Sequence, residues 1–270
     1  MKATKLFVLF IGLFFAAQVF AQDRNVKLAT LEWEPYVGSE FPKKGFTAEI
    51  VKEAFNKAGY KVEIEFHTWS DCLKLGREGK ADGIFPAYYS EDRLEHFDYS
   101  EAFATSPLGL CKIKTYAVAP GTGGGGYKTG YSISYPMDPR VDQTAALEAL
   151  KQYTFGVVKD YANTPEFDAA DFLKKVEARS DEELLRMLFR DEVQLIVIDK
   201  FVMQNIVAKK FPWRSGEVQF MEPPLSERRL FVAFSRSAGD SKKRAKDFNA
   251  GLQLIKEDMI LDRIMRKYGF

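Results

Sequence analysis

Residues 121–130, GTGGGGYKTG, are the stretch most suggestive of chemistry, because a glycine-rich loop running into Lys-Thr is how a phosphate cradle is written. That motif needs a glycine directly before the lysine, and Tyr127 intrudes between Gly126 and Lys128. It must also open a helix, whereas Gly130, Pro136 and Pro139 follow and oppose one. The expectation is a surface insertion indifferent to nucleotide. Nucleophilic catalysis by histidine has only His67 and His96 to draw on, in different segments, and neither a G-x-S-x-G elbow nor an H-E-x-x-H pair occurs. His96, in the charged run EDRLEH, reads as a solvated residue, and His67 as a core or rim residue at a strand end. Cys72 and Cys111 both fall on apolar faces, as two buried thiols or one bridge, and are too few for a metal cage. No metal or cofactor is expected. Carboxylates are plentiful but scattered.

The N-terminal segment MKATKLFVLFIGLFFAAQVFAQ combines Lys2 and Lys5, an apolar run from Leu6 to Phe15 and small residues before Ala21. It reads as a signal peptide cleaved after Ala21, too short in its apolar run to span a bilayer. An exported, periplasmic protein is expected. Without residues 1–21, 37 basic side chains face 38 acidic ones. Such a balance offers no electrostatic footprint for nucleic acid or an anionic membrane.

The remaining chain alternates strand and helix patterns. NVKLATLEW, KVEIEF and ADGIFPA read as strands, separated by helices over TAEIVKEAFNKAG, with Thr47 as N-cap, and WSDCLKLGREG, with Ser70 as N-cap. After the insertion the pattern restarts. YTFGVVK reads as a strand and TPEFDAADFLKKVEA as mostly helix; SDEELLRMLFRDE opens on a capping box from Ser180 to Glu183, and VQLIVID is a buried strand. RRLFVAFSR is a last strand, followed by two helices to the C-terminus. Short alternation of this kind predicts an α/β protein with mainly parallel sheets.

In order, EWEPY, GFTAEIVKEAFNKAGYKVEIEFHTW, YYSEDRLEHFDYSEAF, FGVVKDYAN, LIVID and FNAGLQLIKEDMILDRIMRKYG resemble the family 3 extracellular solute-binding proteins, the periplasmic polar-amino-acid receptors of ABC importers. The resemblance implies a two-lobed periplasmic-binding-protein fold, type II-like, each lobe a mainly parallel sheet flanked by helices and joined by a two-strand hinge. It places lobe 1 at residues 22–109 plus 226–270 and lobe 2 at 110–225, with the glycine-rich insertion at about 119–142. By the same resemblance the protein is a monomer without catalysis that captures a small polar solute, an amino acid or related zwitterion, and delivers it to an inner-membrane permease. Arg93 would pair with the ligand carboxylate, Asp199 would take its ammonium, and Trp33 and Trp69 would wall the ligand. A planar guanidinium suits a carboxylate bidentately.

Two departures from the family pattern stand out. Pro86-Ala87-Tyr88 replaces a small hydroxyl residue before the arginine, and Asp160-Tyr161-Ala162 replaces a Gly-Thr-Thr clamp. Tyr88 and Tyr161 would therefore shape the pocket or bond a different head group. Two alternatives share the scaffold. One is a periplasmic enzyme like the cyclohexadienyl and arogenate dehydratases, using Glu34, Asp160 or Asp199; the other is a free-standing ligand sensor.

Overall fold

The computed structural model describes residues 24–114 and 142–270. The expected signal peptide and the glycine-rich stretch at 121–130 lie outside the described residues. The first half of the chain runs β1 (Arg24–Thr30), α1 (Phe46–Lys57), β2 (Tyr60–Phe66), α2 (Trp69–Arg77), β3 (Gly83–Tyr88), β4 (Phe97–Tyr99) and β5 (Ala104–Ile113). It continues through α3 (Gln143–Glu148), β6 (Thr154–Val158), α4 (Pro165–Asp168), β7 (Lys174–Ala178), α5 (Asp181–Phe189), β8 (Leu195–Asp199) and α6 (Lys200–Lys210). β9 (Val218–Phe220), β10 (Ser226–Ser235), α7 (Ser241–Glu257) and α8 (Ile260–Lys267) complete it.

The strands follow the order β2-β1-β3-β10-β5-β8-β6-β7, with β4 and β9 beside β10 and β5. Parallel pairing holds β1 to β2 and β3, and β6 to β7 and β8. Between these parallel groups β10 and β5 run antiparallel to each other over Ser226–Leu230 and Ala104–Leu108. β5 then continues into pairing with β8. Parallel strands need crossover helices on their faces, which accounts for the fully buried apolar runs in β3 and β8. The result is a two-lobed α/β architecture with β5 and β10 crossing its middle.

The C-terminal α7 returns to α1. A Cβ on Gly251 would lie 1.9 Å from the Ala54 carbonyl oxygen, so only glycine permits this contact. Phe55, Phe234 and Phe248 pack ring to ring beneath it. A second apolar cluster, around Leu184, Leu185, Ile196 and Val207, serves the other group of strands.

Three local expectations are corrected. TPEFDAADFLKKVEA is not mostly helix: α4 ends after one turn, where Asp168 turns back onto the backbone and side chain of Asn163, and Lys174–Ala178 form strand β7. β7 is a sheet-edge strand whose exposed Lys174 and Glu177 give it the polarity of a helix face. Thr68, not Ser70, caps α2, accepting from the Asp71 N–H at 3.2 Å. α1 begins at Phe46 after Gly45. Thr47 instead donates its hydroxyl to the Tyr36 carbonyl at 2.9 Å. The Ser180 cap is as expected, with its hydroxyl accepting from the Glu183 N–H.

Candidate functional site

The freed hydroxyls have consequences at the centre of the molecule. Beyond β1 the chain makes a tight turn in which the Trp33 N–H donates to the Val37 carbonyl and the Tyr36 N–H to that of Trp33. Thr47 pins this turn onto α1, and Gly45 lies so close that a Cβ there would meet the Tyr36 carbonyl oxygen at 2.7 Å. Trp33 and Tyr36 stack with centroids 4.5 Å apart, and Tyr88, the last residue of β3, meets Trp33 edge-on. Aromatic surface of this kind presents a flat wall with a polar tip.

Arg93 follows β3 in a short helical turn and is only 6 % exposed. Its guanidinium lies over the Trp69 ring, 5.4 Å from the centroid. It donates to the Tyr88 carbonyl at 3.2 Å and to the Asp160 carbonyl at 2.8 Å. Burial pulls it below its ordinary pKa. The Trp69 indole N–H donates to the same Asp160 carbonyl at 3.1 Å, and the Ser70 hydroxyl donates to the Asp160 carboxylate at 2.5 Å. Asp160, in the left-handed region at φ 62°, thus turns its carbonyl toward Arg93 and its side chain toward α2. The acid itself is kept off the arginine.

On the opposite side, β8 ends in Asp199, which caps α6 by accepting from the N–H groups of Phe201 and Val202. Its other oxygen accepts from the Tyr36 hydroxyl at 3.0 Å. Asp181, at the first position of α5, accepts from the Tyr161 hydroxyl at 3.1 Å. Burial raises both carboxyls, Asp199 to about 6 and Asp181 to about 7, with the charge of Asp199 adding to the shift at Asp181. Burial likewise holds the Tyr36 and Tyr88 phenols well above their ordinary range.

A cavity of about 30 Å³ is lined by Trp33, Trp69, Tyr88, Arg93, Tyr161 and Ala162, among others. Five of the six residues singled out in the sequence therefore meet around one cavity. Asp199 stands behind it, linked through Tyr36 and Trp33. Past Trp33, Trp69 and Tyr161 opens a cleft of about 790 Å³, whose wall includes Asp181 and where Lys209 pairs with Glu34 across the mouth. His67 lines this outer cleft, exposed and beside Glu65. Asp181 and Tyr36 went unnoticed in the sequence. An acid in a helix's first turn is ordinary, and only its burial distinguishes Asp181.

Cys72 and Cys111 are free thiols in separate cores, each pushed up to about 12 by burial. Among the described residues no group of three His, Cys, Asp or Glu side chains converges as metal ligands, and no helix is long and apolar enough to cross a membrane.

Comparison with known proteins places this geometry. The sequence profile of the bacterial extracellular solute-binding proteins, family 3, matches residues 32–270. Among curated protein sequences none matches this chain. A histidine kinase sensor domain with similarity to periplasmic binding proteins superposes with a TM-score of 0.70 at 16% identity, over 92% of this chain and 96% of its own. An ancestral arginine-binding protein bound to arginine gives 0.68 at 19% identity, over 91% and 98%. A mutant of ArgBP from T. maritima gives 0.66 at 16% identity, over 90% and 94%. At these identities the likeness concerns the fold.

Proposed function

The chain belongs to the bacterial extracellular solute-binding proteins, family 3, and from that membership we propose that it captures an amino acid between its lobes and hands it to an ABC importer. The lobes are residues 22–109 plus 226–270, and 110–225, hinged where β5 and β10 cross. The observation that carries the reading is Arg93: a buried guanidinium on an aromatic wall, its hydrogen bonds given to two backbone carbonyls. A ligand carboxylate would displace the Asp160 carbonyl and offer a charge-assisted, bidentate partner in its place. Asp199, held by Tyr36 beside Trp33, would receive the ammonium, and closure would follow from the ligand's higher affinity for the closed form. The relatives include arginine- and amino-acid-binding proteins, which supports an amino acid as the solute. Mass spectrometry of small molecules released on denaturing the purified protein tests this. An amino acid is expected, and a cyclic carboxylic acid together with turnover of prephenate would replace the reading by a dehydratase.

A second reading, a sensor that hands its ligand to no permease, is favoured by one contact. Asp160 joins Ser70, Trp69 and Arg93 through the protein's own groups, and a kinase sensor domain shares the fold. Co-purification with an inner-membrane permease would decide for transport.

A further inference from the structure

Asp181 is 6 % exposed on the cleft wall, and its hydrogen-bond partner is a neutral phenol. No cation is paired with it or with Asp199 among the described residues. Across from it the indole N–H of Trp33, itself buried, has no hydrogen-bond partner. This N–H acts on the Asp181 carboxyl without closing a hydrogen bond to it. Buried charges are ordinarily paired and buried donors ordinarily satisfied. Here two adjacent walls share an unmet need at one place.

The path to that place runs from Arg93. The cavity at Arg93 holds about 30 Å³, room for little more than a head group, and it shares the walls Trp33, Trp69 and Tyr161 with the large cleft. The Tyr161 hydroxyl is bonded to Asp181. A ligand anchored at Arg93 and extending along these rings therefore reaches Asp181 with its far end. Charge points the same way. Arg93 supplies one cation against the two buried carboxylates, and a zwitterion, adding no net charge, leaves one carboxylate unmatched. The cleft walls as a whole carry five carboxylates to three Lys and Arg side chains. A proton on Asp181 would make up part of the difference, since burial lifts that carboxyl to about 7.

Resting on the reading of this cleft as an amino-acid site, we propose that Asp181 is a specificity residue: it accepts the distal ammonium or guanidinium of a basic amino acid. The cleft then selects ligands of net charge +1 over neutral zwitterions. Tyr161, donating its hydroxyl, orients the carboxylate and leaves its remaining lone pairs to the ligand. Selection of this kind works by exclusion as well, because a neutral tail would leave the buried carboxylate unpaired.

Calorimetry of the mature chain with L-arginine, L-lysine and the neutral near-isostere L-citrulline tests the assignment. The wild type should bind arginine at least tenfold more tightly than citrulline. Asp181→Asn should reduce that ratio to within about twofold, by weakening arginine and easing the penalty on citrulline, and Asp181→Glu should restore a preference for arginine. Citrulline binding as tightly as arginine in the wild type would overturn the proposal. So would a preference that survives Asp181→Asn. Neutral amino acids binding alone would remove Asp181's role and leave the amino-acid reading standing, whereas no binding by any amino acid would remove both. The wild-type comparison holds even if the Asn variant fails to fold.

Discussion

The two walls of the cleft treat charge in opposite ways. The wall built after β3 carries Arg93, and the protein itself satisfies it with the Tyr88 and Asp160 carbonyls and the Trp69 ring. The wall built on β8 and α5 carries Asp199 and Asp181, held only by neutral hydroxyl and N–H donors. Water strips easily from neither, but an arginine tolerates burial with its charge intact, whereas a carboxylate answers burial by taking up a proton. In the proposed site a ligand would meet a pre-satisfied cation that it must compete for on one side, and an acid pair short of positive charge on the other.

The largest effect that would break this comparison is at Arg93. Each charge-assisted hydrogen bond is worth roughly 1.5–3 kcal/mol, so Arg93→Ala should weaken amino-acid binding about a hundredfold or more in calorimetry. Because Arg93 is buried, Arg93→Lys is the cleaner variant: it keeps the charge, loses the fork, and should lose most of the affinity while preserving the fold. Full affinity in both would remove Arg93 from the site.

Next comes pH. Both carboxyls have folded pKa values, about 7 and about 6, raised above their unfolded value near 4. Their protonated forms favour the folded state, so this stability is fully present below about pH 4. It is lost as pH rises through 6 to 7. Between pH 5 and 8 the melting temperature should fall, with Asp181 contributing about 3 kcal/mol, and Asp181→Asn should flatten the slope. A melting temperature that rises over this range by Asp181's titration would contradict the unpaired acid wall.

The smallest effect separates Asp199's cap of α6 from its proposed ligand role. Asp199→Asn keeps an oxygen to cap α6 and should lose ligand ammonium recognition with little change in melting. Asp199→Ala loses the cap as well and should destabilise the protein by a further ~1 kcal/mol. Equal melting temperatures for the two variants would show that the cap adds nothing.

The alternating strands and helices, the Ser180 cap and the residues meeting around the small cavity were legible because each rests on local pattern or on an ordered run of motifs. The rest was not local. β7 hides its period behind the charged residues that protect a sheet edge, so a helix was the natural reading of TPEFDAADFLKKVEA. Thr68 and Ser70 are equally good caps by type, and only the fold shows that Ser70's hydroxyl is used on Asp160, 90 residues away. Asp181 has the composition of any helix start; its isolation from cations arises from what the two lobes bring together, which no window of sequence contains.

The placement of the three tryptophans gives the chain an optical readout of its own. Trp33 and Trp69 are buried at 6 % and 7 % exposure on the walls of the cleft, while Trp213 is 76 % exposed after α6. Trp213→Phe should remove the emission from a solvated indole and leave two emitters, both on the cleft walls. Opening would wet them and shift their fluorescence to the red, and ligand-driven closure would shift it back. Titrating an unlabelled protein in a cuvette would then follow the motion of the lobes directly.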